Sequence, residues 1–216
     1  MKDLDLTLYV VSDKSLAGTR GIFTVCEQAL DAGATVVQLR DKDASFSSLV
    51  EQGRTLRALA DRYRAVFIVN DRPHVAAACG AHGVHLGLDD APLAAARAVM
   101  GPEAIIGISV QTPDQARSAE RAGADYLAAN LVFATTTKTD LDKPIGLEGI
   151  KDLRAASELP LVAIGGINAG NTAEVIAAGA DGVAVVSAVM AAVDVPAACR
   201  ELLDAVRKGR SQRHGS

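Results

Sequence analysis

Short apolar runs rich in β-branched residues alternate along the whole chain with Ala-rich segments at helical spacing, and this alternation predicts repeated βα units around a parallel sheet. The predicted strands are Leu6 to Val11, Thr35 to Leu39, Val66 to Val69, Gly83 to Leu86, Ile105 to Ile108, Tyr126 to Ala129, Leu161 to Ile164 and Gly182 to Val186. Between them, segments such as Phe23 to Ala32, Phe46 to Tyr63, Pro113 to Ala122 and Thr172 to Ala178 carry enough Ala, Leu, Glu, Arg and Gln to favour helix.

An internal repeat organises these units. Ala32-Gly33-Ala34, Cys79-Gly80-Ala81, Ala122-Gly123-Ala124 and Ala178-Gly179-Ala180 each close a helix and lead into a strand. The glycine suits the left-handed residue that follows a helix, and its recurrence at every second αβ junction predicts a barrel of four double units. The expected fold class is therefore α/β, a single (β/α)8 barrel over residues 1–207. An open doubly wound sheet would call for GxGxxG after the first strand, where the chain has Val11-Ser12-Asp13-Lys14. The polar segment from Lys208 to Ser216 is expected to fray.

At 216 residues and 49% hydrophobic content, the chain can bury a core without a metal or disulfide staple, so any metal would serve function. With 22 basic against 26 acidic side chains, the net charge of −4 and the lack of a long basic run argue against nucleic-acid binding. No leader-like or membrane-spanning apolar stretch is evident, which predicts a cytoplasmic protein without a membrane partner. Cys26, Cys79 and Cys199 are widely separated and read as reduced core thiols. Spaced apolar residues on the outer helices are compatible with a homo-oligomer.

In such barrels the chemistry is carried by the C-terminal strand ends, and here those ends are rich in charge. Gln38, Arg40 and Lys42 alternate onto one face of the second strand, away from Val37 and Leu39. Two cations and an amide on one face suit phosphate or pyrophosphate oxygens, although a solvated loop would also explain an isolated pair. Asn70 and Asp71 end the third strand, and Asp90 follows the fourth. A salt bridge accounts for one carboxylate; a second at the neighbouring strand end points to Mg²⁺, which takes one or two carboxylates and fills its shell with water and phosphate oxygens. Ser109 ends the fifth strand. His85 reads as a packed, hydrogen-bonded residue, and Asp89 as a solvated neighbour. Gly165-Gly166 after the seventh strand and Val186-Ser187 after the eighth form a second candidate anion site. Thr135, Thr137 and Lys138 lie in a long loop whose hydroxyls and ammonium could face either anion.

Taken in order, Gln38-Leu39-Arg40-Asp41-Lys42, Val69-Asn70-Asp71-Arg72, Gly83-Val84-His85-Leu86-Gly87 with Asp90, Gly107-Ile108-Ser109, Thr135 to Lys138, Ala163-Ile164-Gly165-Gly166-Ile167 and Val185-Val186-Ser187 resemble the thiamine-phosphate synthase family over almost the whole chain. The resemblance implies a transferase that joins 4-amino-5-hydroxymethyl-2-methylpyrimidine diphosphate to 4-methyl-5-(2-phosphoethyl)thiazole, giving thiamine phosphate and pyrophosphate. It further implies Mg²⁺ on Asp71 and Asp90, the diphosphate on Arg40, Lys42, Asn70 and Lys138 with Ser109 nearby, and Gln38 at the pyrimidine. Thr135, Thr137, Gly166, Val186 and Ser187 would hold the thiazole phosphate. Arg40, Lys42, Ser109 and Lys138 would be the catalytic groups, acting on the charge of the leaving group in a dissociative reaction that needs no protein nucleophile. Where the family usually has Gln, Gly-Pro, Pro and Pro, this chain has Leu88, Asn130-Leu131, Ala134 and Thr136.

Three other readings compete. A thiazole tautomerase of the same superfamily would place a His on the sixth-strand segment, where this chain has Asn130-Leu131. A non-catalytic phosphate-ligand barrel would need only the loops after strands seven and eight. An aldolase would use Lys42 or Lys138 in deprotonated form, which nearby carboxylates oppose.

Overall fold

The computed structural model describes residues 4–87, 90–134 and 143–214. Eight parallel strands close into a barrel in sequence order: β1 Leu8–Val11, β2 Val36–Leu39, β3 Val66–Asn70, β4 Gly83–Leu86, β5 Ile105–Val110, β6 Tyr126–Asn130, β7 Leu161–Ile164 and β8 Gly182–Val185. Closure is made by β8 against β1, with Ala184 opposite Tyr9. The helices among the described residues are α1 Lys14–Ala17, α2 Gly21–Asp31, α3 Phe46–Tyr63, α4 Pro73–Cys79, α5 Leu93–Met100, α6 Pro113–Arg121, α7 Gly146–Ala156, α8 Ala169–Ala177, α9 Ser187–Met190 and α10 Val195–His214. None is long and apolar enough to cross a membrane.

Strand alternation sorts side chains into two apolar clusters. Val37, Leu39, Phe67, Val69, Val84 and Ile106 face outward and bury against the helices. Tyr9, Val11, Val36, Ile68, Tyr126, Ala128, Val162 and Ala184 face inward and fill the barrel. Gln38, two residues beyond Val36, continues the inward face as the alternation predicts.

The four-fold repeat is physically real at the base of the barrel. The four glycines of the repeat take positive φ values, from 70° at Gly80 to 128° at Gly179. In each case the residue following the motif accepts the N–H of a residue at the start of the preceding strand. Thr35 Oγ1 accepts from Leu8 at 3.2 Å, His82 Nδ1 from Phe67 at 2.9 Å, Asp125 Oδ2 from Ile106 at 2.8 Å and Asp181 Oδ2 from Leu161 at 2.8 Å. Two arginines complete the pattern: Arg97 on α5 donates to Asp125 at 2.8 Å, and Arg154 on α7 to Asp181 at 3.0 Å. Each arginine also caps backbone carbonyls, those of Ala104 and Gly123 for Arg97 and of Ser157 and Leu159 for Arg154.

The C-terminal segment differs from expectation. Helix α10 runs on through His214 instead of fraying from Lys208. Side chains tie it down: Arg210 donates to Thr7 Oγ1 at 2.8 Å and to the carbonyl of Asp181 at 2.9 Å, and Arg213 to the carbonyl of Gly179 at 3.3 Å. Polar composition here marks an anchored helix at the base of the barrel, because its arginines find carbonyls to cap.

Candidate active site

At the opposite end, the C-terminal strand ends surround a cavity of about 840 Å³. It brings together Gln38, Arg40, Lys42, Asn70, Asp71, Asp90, Ser109, Gly166, Val186 and Ser187, residues from six of the eight βα loops or strand ends. Thr135, Thr137 and Lys138 lie outside the described residues, as do Leu88 and Asp89.

Local structure aims these groups. Ser12, fully buried beyond β1, donates its N–H to the Gln38 carbonyl at 2.8 Å, and its hydroxyl accepts the Arg40 N–H at 3.0 Å. The end of β2 is thereby pinned where it leaves the sheet, and Arg40 starts from a fixed backbone. Arg72, next after Asp71, donates to the carbonyls of Lys42 at 3.1 Å and Ala44 at 3.3 Å, tying the loop that carries Lys42 to the end of β3.

Asp71 has φ of 60°, a left-handed conformation that Asp tolerates better than most residues. Its N–H donates to the His85 carbonyl at 2.8 Å, which continues the β3–β4 ladder past the strand end. Burial and the neighbouring Asp90 carboxylate push the Asp71 carboxyl up from 3.8 to about 6, against the opposing pull of Asn70 and Lys42. Asp90 is oriented by the Gly87 N–H, which reaches Oδ2 at 2.6 Å. Two neighbouring carboxylates beside cationic groups form a donor set suited to a hard divalent cation. Among the described residues no group of three or more His, Cys, Asp or Glu converges, so Mg²⁺ held here would take its remaining oxygens from water and substrate phosphate.

The other wall is shaped by a glycine turn and a capped helix. Gly166 has φ of 65°, and a Cβ there would lie 2.7 Å from the carbonyl of Ala134 and 2.8 Å from Phe133 Cβ, so only glycine lets the chain after β6 pass. Asn168 caps α8 and pairs with Asn171 in a reciprocal capping box, and the Asn171 amide donates to the Gly166 carbonyl at 2.9 Å. Val186 leaves the extended region at φ −112°, ψ −83° to begin α9, which sets the exposed Ser187 at the cavity rim.

Sequence reasoning missed a polar chain through the barrel. Gln38 Nε2 donates to Tyr9 Oη at 2.5 Å, Tyr9 Oη lies 3.0 Å from Tyr126 Oη, Tyr126 Oη 2.9 Å from His85 Nδ1, and His85 Nε2 3.0 Å from Ser109 Oγ. His85 is indeed packed and hydrogen-bonded, as its position suggested, but both its partners belong to this chain. Desolvation pushes its pKa down to about 4 against the pull of Asp90, so the ring is neutral. Tyr9 and Tyr126 are 117 residues apart, and no local period could have paired them.

Carboxylates, cations and a glycine-bearing wall gathered at the C-terminal mouth of a closed eight-stranded barrel are the arrangement of a (β/α)8-barrel enzyme. A profile of the family described as Thiamine monophosphate synthase matches residues 8–189, and the chain belongs to that family. It is 50% identical over 205 residues to thiamine-phosphate synthase of Moorella thermoacetica, covering 95% of this chain and 98% of that one. It is likewise 50% identical over 199 residues to the Chloroflexus aurantiacus enzyme of the same name, covering 92% of each. Among solved structures, thiamine phosphate pyrophosphorylase from Pyrococcus furiosus superposes with a TM-score of 0.87 at 43% identity, covering 95% of this chain and 97% of that one.

Proposed function

We infer that this protein is a transferase of thiamine biosynthesis that condenses 4-amino-5-hydroxymethyl-2-methylpyrimidine diphosphate with 4-methyl-5-(2-phosphoethyl)thiazole, releasing pyrophosphate. Family membership supports the reaction; the observation that carries the assignment of residues is the single cavity lined by Arg40, Lys42, Asn70, Asp71, Asp90, Ser109, Gly166 and Ser187. In this reading Asp71 and Asp90 hold Mg²⁺, whose chemistry is to neutralise the charge that grows on the departing pyrophosphate. Arg40, Lys42, Asn70, Ser109 and Lys138 bind the diphosphate oxygens, and Gln38 meets the pyrimidine. Gly166, Val186 and Ser187 hold the thiazole phosphate across the cavity, and Thr135 and Thr137 are assigned to the same phosphate from the family pattern alone.

The reaction needs no protein nucleophile. The C–O bond to the diphosphate breaks, its electron pair leaving with pyrophosphate. The aminopyrimidine spreads the positive charge left on its methylene carbon, and the lone pair of the thiazole nitrogen forms the new C–N bond. What the chain supplies is cationic stabilisation at one wall and positioning of the nucleophile from the other. Three unpaired, buried cysteines suit a reducing, cytoplasmic setting.

The test is formation of thiamine phosphate from the two purified substrates with and without Mg²⁺. Mg²⁺-dependent product, with one pyrophosphate released per product, is expected. Folded protein that yields no product under either condition would refute the assignment.

A further inference from the structure

We propose that Tyr9, Tyr126 and His85 form a one-directional hydrogen-bond relay that couples the Gln38 amide to the Ser109 hydroxyl, so that the pocket selects a ligand with a donor at Gln38 and an acceptor at Ser109. This deepens the function proposed above and rests on its placement of the pyrimidine and the diphosphate.

The argument is a count of protons. The relay joins five strands, from Gln38 on β2 through Tyr9, Tyr126 and His85 to Ser109 on β5, with successive contacts of 2.5, 3.0, 2.9 and 3.0 Å. Each hydroxyl has one proton to give, and a neutral imidazole has one N–H. Because the Gln38 amide nitrogen donates to Tyr9, the Tyr9 proton goes to Tyr126 and the Tyr126 proton to His85 Nδ1. The imidazole N–H then sits on Nε2 and donates to Ser109. Left over are the Ser109 proton, which seeks an anionic oxygen, and on Gln38 the carbonyl, which seeks a donor, with the second amide N–H beside it. Turning the amide over reverses every bond and leaves Ser109 without an outward proton. Any mixed setting makes one phenol oxygen accept twice and leaves its own buried proton without an acceptor, a cost that the one-directional setting avoids.

The surroundings hold the relay rigid. Gln38 and both tyrosines are buried, and the His85 ring stacks on Tyr126 with centroids 5.5 Å apart at 28°. Gly107 on β5 makes the room that Tyr126 fills, since a Cβ at that position would lie 2.0 Å from the phenol Cζ. A diphosphate oxygen accepting from Ser109 therefore favours the same sense that turns the Gln38 carbonyl toward an exocyclic amine. A 4-aminopyrimidine diphosphate satisfies both ends, whereas its 4-oxo counterpart sets a carbonyl against a carbonyl. Tyr9, Tyr126 and His85 are positioning residues in this scheme, and they determine specificity.

The test is calorimetric binding of the 4-amino and 4-oxo pyrimidine diphosphates, and of inorganic pyrophosphate, with Mg²⁺ and without the thiazole phosphate. It uses full-length wild type, Tyr126→Phe and Tyr9→Phe, which cut the relay at different links, so that either variant alone suffices if the other does not fold. Wild type is expected to prefer the amino compound by about 100-fold, and a cut relay to narrow that preference to about tenfold or less, with pyrophosphate affinity held within about threefold. Loss of both pyrimidine compounds by the same factor, with the preference intact, would overturn the relay and leave the tyrosines a purely structural role. Wild type that binds pyrophosphate but neither pyrimidine compound would instead remove the pyrimidine reading, and the relay with it.

Discussion

The two ends of the barrel carry similar polar residues and use them differently. At the base, Asp125 takes a strand N–H and Arg97, Asp181 takes a strand N–H with Arg154 and Arg213, and these arginines cap carbonyls on the neighbouring turns. At the mouth, Asp71 and Asp90 face each other beside Arg40 and Lys42 around an open cavity, and the Asp71 carboxyl is driven up to about 6. An acidic residue whose partners are all internal holds the fold together. One pressed against another carboxylate at an open cavity has its charge opposed, and that is a mark of a functional site.

Substitutions at the two ends should separate stability from activity. The largest effect is expected for Asp71→Asn, which removes a charge from the proposed metal set: turnover falls by about 100-fold or more, while the melting temperature holds or rises as the repulsion with Asp90 is relieved. Steady-state assay and calorimetry on the same preparation check both halves. Asp125→Ala should do the reverse. It leaves the Ile106 N–H without its carboxylate acceptor and takes from Arg97 its counter-charge, so about 2 kcal/mol of stability is lost in denaturant titration while kcat/KM stays within about threefold. Ser187→Ala, at the rim, is expected to raise KM for the thiazole phosphate by about three- to tenfold with kcat nearly unchanged, the worth of one hydroxyl contact to an anion.

The smallest effect should be the pH dependence at the base. His82 accepts the Phe67 N–H through Nδ1, and its pKa is lowered chiefly by burial and further by Arg57. The unfolded chain therefore binds the proton first. The stability His82 confers is complete above its ordinary pKa of 6.5 and is lost as pH falls toward the depressed folded value. Stability measured between pH 7 and 5 should decline less steeply in His82→Gln, which keeps an acceptor for Phe67 and cannot be protonated. An identical slope in the two proteins would show that this clamp does not titrate.

The order of strands and helices was legible because period-two and helical patterns are local, and the Ala-Gly-Ala repeat marked the four-fold register. Strand ends were less so, since cross-strand partners set them. Strand β5 reaches Val110 because Ser109 and Val110 pair with Ala128 and Ala129, and β8 stops at Val185 because Val186 turns to open α9. The charged residues of the mouth were legible from their places just past apolar runs. Ser12, Arg72 and the relay were not, because their roles lie in bonds to residues distant in sequence: Ser12 to Arg40, Arg72 to the loop after β2, and Tyr9 to Tyr126.

The central claim is that the mouth binds diphosphate through a divalent cation held by Asp71 and Asp90, and titration of inorganic pyrophosphate into the protein tests it most directly. With Mg²⁺, pyrophosphate should bind the wild type and raise its melting temperature, with both effects lost on chelation and in Asp71→Asn. Equal binding with and without Mg²⁺, or undiminished binding to Asp71→Asn, would contradict the account.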